Sequence, residues 1–190
     1  MKLFSRIAAS AALVAGLAAC SVLQPADEAP ADLDFQIYNP QAQSVFPVTS
    51  TLITGSNEAI LFDAQFQKND AQQLVNMVLA SGKQLTTIYI SQADPDYYFG
   101  LDVLTAAFPD ARVVATAATV DKIKKSMKGK KAYWGPILKD NAPQKLVLPE
   151  VLEGDSLMLD GERIDIVGIS GHDPLHTFAW VPSEKPFWVV

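Results

Sequence analysis

The apolar and polar positions of the chain alternate between short β-branched or aromatic runs and stretches with helical spacing. Phe35, Ile37 and Tyr38 suggest a first strand near Asp34, where a folded domain over 34–190 would begin. Val45 to Thr54 and Glu58 to Asp63 read as two further strands, joined by the turn-forming Gly55-Ser56-Asn57. Asp70 can cap a helix with Leu74, Val75, Val78 and Leu79 on one face, and Gly82 is a natural stop. Thr86 to Ser91 is a buried strand, and Leu101 to Phe108 has helical spacing up to Pro109. Arg112 to Ala115 predicts a short strand and Thr119 to Met127 another helix. A hairpin follows, Ser156 to Leu159 and Arg163 to Ile169, turned at Asp160-Gly161, and the last apolar runs are Phe178 to Val181 and Pro186 to Val190. Strands interleaved with helices in this order predict an α/β fold.

Polar chemistry is delivered where one strand leaves the sheet. Gln92, Asp94 and Asp96 follow the apolar run ending at Ser91, and Pro95 rules out a continuing central strand. Loops between a strand and a helix hold the chemistry of α/β proteins. A second polar loop, Gly171-His172-Asp173-Pro174-Leu175-His176-Thr177, follows the late hairpin and contains the only two histidines of the chain. Asp63, at the end of an apolar strand, reads by itself as a strand-terminating turn residue.

Gln92-Ala93-Asp94-Pro95-Asp96-Tyr97-Tyr98-Phe99-Gly100 resembles H-x-H-x-D-H-x-x-G, the metal-binding signature of the metallo-β-lactamase fold superfamily. Asp96 and Gly100 match; Gln92 and Asp94 stand where that signature has its first two histidines, and Tyr97 where it has its last. Leu61-Phe62-Asp63-Ala64 resembles the superfamily's first motif, in which the aspartate supports the metal loops through hydrogen bonds to loop backbone. Gly171-His172 resembles the third, with His172 in the ligand position. The resemblance implies the N-terminal half to two-thirds of an αββα sandwich. The chain stops on Val189-Val190 within an apolar run, before any counterpart of the family's bridging aspartate and final histidine, which predicts a fragment, a truncated product or half of an assembly.

The resemblance also implies a metal-dependent hydrolase of a small-molecule substrate, with Asp94, Asp96 and His172 converging on one divalent ion and Gln92 as a neutral oxygen donor. Oxygen-rich ligands shift preference from zinc towards manganese or magnesium, and Asp96 would bind the ion or act as catalytic base. Tyr97 is a poor ligand unless deprotonated, so a dinuclear site is not expected. Two other readings stand beside this one. The domain is catalytically inactive and binds a ligand or partner at the same cleft, or it is structural and Asp94 and Asp96 only shape the Pro95 turn.

The chain has 190 residues, 49% of them hydrophobic, and a net charge of -6, as expected of one acidic folded domain and not of a nucleic-acid binder. No Gly-rich phosphate loop follows any strand. Lys122, Lys124, Lys125, Lys128, Lys130 and Lys131 form a basic patch that reads as a solvated helix end complementing the helix dipole, with an anionic surface as the sharper alternative. Tyr133-Trp134-Gly135-Pro136 reads as a connection packed on the domain. An unpaired sheet edge in a partial sandwich invites self-association.

Residues 1–19 read as an export signal: Lys2 and Arg6 supply positive charge, and Ile7 to Leu17 an apolar core shorter than the ~20 residues a bilayer span needs. Leu17-Ala18-Ala19-Cys20 resembles the lipobox of bacterial lipoproteins, whose cysteine is acylated. Residues 20–33, rich in Pro, Ala, Asp and Glu, read as a flexible tether. These features predict a lipid-anchored protein on the periplasmic side of a bacterial cell envelope. Ser21 after the cysteine favours the outer membrane by resemblance to bacterial sorting rules. The chain's only cysteine leaves no thiol for a disulfide once it is acylated. Mass spectrometry of the mature N-terminus should find Cys20 diacylated or triacylated, and Cys20→Ala should move the protein from the membrane to the soluble fraction.

Overall fold

Two β-sheets stacked face to face, with helices against one outer side, make up the computed structural model, which describes residues 32–183 and the backbone of 187–189. The expected signal, Cys20 and the tether as far as residue 31 lie outside the described residues. Strands β1 (Asp34–Tyr38), β2 (Ser50–Thr54) and β3 (Glu58–Phe62) form an antiparallel meander. Helix α1 (Lys68–Ser81) crosses to β4 (Gln84–Ile90), which pairs parallel with β3. Short helices α2 (Pro95–Tyr98) and α3 (Leu101–Ala107) lead to β5 (Arg112–Ala115), and α4 (Ala117–Leu138) leads to the two-residue β6 (Glu150–Val151). These six strands lie in sequence order, β4 to β6 in parallel. Strands β7 (Ser156–Leu159), β8 (Glu162–Val167), β9 (Phe178–Val181) and β10 (Phe187–Val189) make the second, antiparallel sheet.

Each central strand of the first sheet is buried on both faces, which is why β2 to β4 read as continuous apolar runs. Successive side chains point to opposite faces, so neighbours serve two separate cores. Leu52, Leu61, Ile88 and Ile90 meet Leu74 and Val78 of α1, Leu101 and Leu104 of α3 and Ile123 of α4. Ile53, Ile60, Phe62 and Tyr89 meet Leu157, Leu159, Ile164, Ile166, Ala179 and Val181 of the second sheet. Among the described residues the layering is therefore helix, sheet, sheet, and Met158 and Val167 of the second sheet are exposed.

Several expected elements are corrected. β2 begins only at Ser50; the residues before it form a loop carrying Pro47, with Val45 N–H tied to Gln67 Oε1 at 2.8 Å. Asp70 is not a cap. It lies in the first turn of α1, buried, and accepts a 3.1 Å hydrogen bond from the Tyr38 hydroxyl. Pro95–Tyr98, read as loop, is a helical turn, and β6 carries no pattern long enough to read. Helix α4 does not stop at Met127 but runs 22 residues, through the lysine patch and Tyr133-Trp134. Thr116 starts it by accepting from Thr119 N–H, and tertiary packing of Trp134 against Phe46 and Phe66 carries it past Gly129.

The two sheets are clipped at the end remote from Ser91. Asp160, with φ of 46°, turns the β7–β8 hairpin and accepts from Asn57 N–H at 2.8 Å and Glu58 N–H at 3.0 Å, while its own N–H donates to the Glu58 carboxylate. A Cβ on Gly55 would lie 2.4 Å from Asp160 Oδ2, so this turn admits the clip only with glycine there. Asp160→Ala should lower stability by about 1–2 kcal/mol, the scale of hydrogen bonds to a charged acceptor at a partly exposed site. The midpoint of urea denaturation reads this directly.

Candidate active-site cleft

At the other end, the loops after β3 and β4 are joined by one buried carboxylate. Asp63 is fully buried, with φ of 62°, and accepts from Ser91 N–H at 2.8 Å and from Ser91 Oγ–H at 2.7 Å. Burial pushes its carboxyl up to about 7, against the two Ser91 hydrogen bonds and with a further push from Asp96. Two residues on, Gln65, also left-handed with φ of 70°, sends its amide to Val48 O at 2.9 Å and Ser50 Oγ at 2.7 Å. Asn39 holds the same loop from the other side, donating to Pro47 O at 3.0 Å and Thr49 Oγ1 at 2.9 Å.

Pro95 opens α2, where its missing N–H is no loss because the first turn has no acceptor for it. Ala64 N–H donates to Tyr97 O at 2.7 Å and Gly100 N–H to Gln65 O at 2.9 Å, so the helical turn is pressed onto the Asp63 loop. A Cβ at Gly100 would stand 2.0 Å from Ala64 O, which only glycine avoids. Asp94 sits at the N-cap of α2 but caps nothing with its side chain. Its carboxylate turns outward to Lys130 of α4, whose ammonium lies 2.8 Å from Asp94 Oδ1 and 2.8 Å from Ala93 O.

Asp96 is half-buried and, with Phe46, Pro47, Val48, Thr49 and Tyr97, lines a cleft between the 45–49 loop and α2. Its carboxyl is held above the ordinary range, first by burial and then by Asp94, with its own backbone N–H and Lys130 opposing. Tyr97 is pushed up to about 12 by burial and by Asp96, Asp63 and Asp94, opposed by a hydrogen bond with Gln92. At neutral pH it is a neutral phenol, not an anionic ligand.

The second polar loop reaches the first through Thr177 and His176, not through His172. Thr177 Oγ1 donates to Ser91 O at 3.1 Å and lies 2.7 Å from the Tyr89 hydroxyl, and the backbones of His176 and Gln92 form an antiparallel bridge. His176 Nδ1 is 2.5 Å from Asp173 Oδ2, and His172 is exposed. Among the described residues, no three His, Cys, Asp or Glu side chains gather as a site for a metal ion, so the expected convergence of Asp94, Asp96 and His172 is not found. Lys130, Gln65 and Thr177 are the residues that sequence reasoning missed. A lysine within a basic run, a glutamine and a threonine carry no motif, and the only available signal was Lys130's place on the helix following β5.

No protein-family profile matches the chain, and no curated protein matches it in sequence. Solved structures do match. BLEG-1 B3 metallo-beta-lactamase superposes with a TM-score of 0.56 at 15% identity, over 79% of this chain and 68% of that one. A Cronobacter sakazakii metallo-beta-lactamase with a HARLDQ motif gives a TM-score of 0.52 at 26% identity, over 70% of this chain and 50% of that one. This is a partial metallo-β-lactamase fold. The chain spans about half to two-thirds of the length of the metallo-β-lactamases it matches. Proteins of that fold are in general dependent on divalent metal, usually zinc. The donors here do not fit such a centre: Asp94 is committed to an ammonium, Tyr97 is a neutral phenol, Gln92 is a neutral amide, and His172 does not join them.

The buried Asp63 makes a pH prediction with a definite sign. Its folded pKa of about 7 lies above the unfolded value of about 4, so folding takes up a proton in that interval. Its contribution to stability is complete below pH 4 and declines as pH rises to about 7. Asn tolerates the left-handed backbone and keeps an acceptor for Ser91 N–H, so Asp63→Asn should flatten the slope of melting temperature between pH 4 and 8. Parallel slopes for the two proteins would remove Asp63 as the source.

Proposed function

We propose that this chain is an envelope-anchored metallo-β-lactamase-fold protein that works without the metal centre of its fold and binds a small molecule in the cleft beside Asp96. One observation carries the reading: Lys130 Nζ stands 2.8 Å from Asp94 Oδ1 and from Ala93 O, so a built-in cation neutralises the carboxylate at the position of the family's second histidine. The Lys130 side chain is 22% exposed and that of Asp94 63%, so the pair is sheltered on the lysine side and open to solvent on the carboxylate side. The envelope location rests on the Leu17-Ala18-Ala19-Cys20 block.

The second reading is a hydrolase with one divalent ion held by Asp94, Asp96, His172 and Gln92. One observation favours it: the name of the Cronobacter sakazakii metallo-beta-lactamase spells a His-Ala-Arg-Leu-Asp-Gln motif, which also departs from the three-histidine pattern. Set beside Gln92-Ala93-Asp94-Pro95-Asp96-Tyr97, it shares the second and fifth residues. A bound metal would supply a water of lowered pKa. Asp94 would first have to leave Lys130.

Metal analysis of protein purified without chelator separates the two. The first reading expects well under one zinc, manganese or iron per chain and a melting temperature unchanged by EDTA. One metal per chain, removed by EDTA with a fall in melting temperature, would establish the second. Lys130→Met should lower the melting temperature by about 1–3 degrees, because Ala93 O loses its donor while the exposed Asp94 carboxylate is rehydrated.

A further inference from the structure

We infer that the cleft beside Asp96 is a site for a small organic cation, an ammonium or quaternary ammonium compound, with Asp96 as its counter-ion. The inference rests on the reading of the cleft as a metal-free binding site and adds the chemistry of the ligand. The ammonium of Lys130, on the neighbouring helix α4, is spent on Asp94 and Ala93 O. Asp96, half-buried in the wall of the cleft, takes part in no salt bridge among the described residues. A half-buried carboxylate left in that condition is costly, and an arriving cation offsets the cost.

The walls suit the apolar surface of such a ligand. Phe46, Pro47 and Val48 lie on one side and Tyr97 on the other, and aromatic rings attract a cation over their faces. Phe46 is 37% exposed yet fixed from behind, with its ring 5.3 Å from both Phe66 and Trp134. The polar groups of the same loop are already used: Pro47 O and Thr49 Oγ1 accept from Asn39, and Val48 O accepts from Gln65. These bonds fix the loop that forms one wall of the cleft, and Asp96 is the one charged residue in its lining. A net charge of -6 on the chain further favours the approach of cations over anions.

The test compares choline with 3,3-dimethyl-1-butanol, the same shape without the charge, by titration calorimetry on the detergent-solubilised full chain. Choline should bind at least tenfold more tightly than the neutral alcohol, and butyrate should not bind. Asp96→Asn should reduce choline affinity at least tenfold, and Phe46→Leu about threefold, with thermal melts confirming that both variants fold. Asp110→Asn, in the exposed turn before β5 and not in the lining of the cleft, should leave choline affinity within twofold. Equal affinity for choline and the alcohol, or choline binding indifferent to Asp96→Asn, would overturn the cation site. The metal count on the same sample keeps the two failures apart. Stoichiometric metal sinks the metal-free reading, whereas a metal-free protein that ignores choline sinks the cation site alone.

Discussion

The hydrogen bonds from Ser91 to the buried Asp63 carboxylate are the constraint on which the cleft depends. Asp63 ends one parallel strand and Ser91 follows its neighbour, so the contact fixes where both chains leave the sheet. Everything functional hangs from those two exits. The segment after Asp63 runs through Gln65, which holds the loop over the cleft, and the segment after Ser91 runs into α2, which supplies Asp96 and Tyr97. Gly100 closes the circuit by letting α2 and α3 lie directly on the Ala64 carbonyl. Left-handed backbone at Asp63 and Gln65 is tolerable because both side chains are fully buried and hydrogen-bonded, so the surroundings over-determine them.

Much of this scaffold was legible in the sequence, for a physical reason. A sheet buried on both faces writes itself as apolar runs, and Gly82 and Asp160-Gly161 mark places where the chain must adopt positive φ. The parallel order around Ser91 and the Asp63 and Gly100 positions follow from short-range pattern joined to the family motifs. Long-range juxtaposition was not legible. Asp94 and Lys130 are 36 residues apart, and whether they meet depends on how far α4 runs and which way it faces. Local pattern stopped that helix at Met127 because Gly129, Gly135 and Pro136 are poor helix residues, whereas aromatic packing on Phe46 and Phe66 overrides the preference. The second loop shows the same limit on a smaller scale. The histidine whose backbone docks on Gln92 is His176, because Thr177 is the residue that anchors the loop to Ser91.

A lysine ammonium and a divalent metal solve the same electrostatic problem differently. A metal gathers several donors around a point and fixes their angles. The Lys130 ammonium carries one charge, donates along its own N–H directions, and satisfies one carboxylate and one carbonyl. Only Asp94 has an ammonium beside it, and burial holds the carboxyl of Asp96, two residues later, above its ordinary range. On the proposed reading one donor position is silenced and the adjacent one is left to a ligand cation, so the cleft would hold a charge instead of polarising a bond.

That Lys130 belongs to the polypeptide has a consequence for supply. A cation that arrives with translation is present in every copy at unit occupancy and has no equilibrium with its surroundings. The loop it fastens is therefore finished as soon as α4 docks, in any compartment and whatever competing proteins do to the local pool of transition metals.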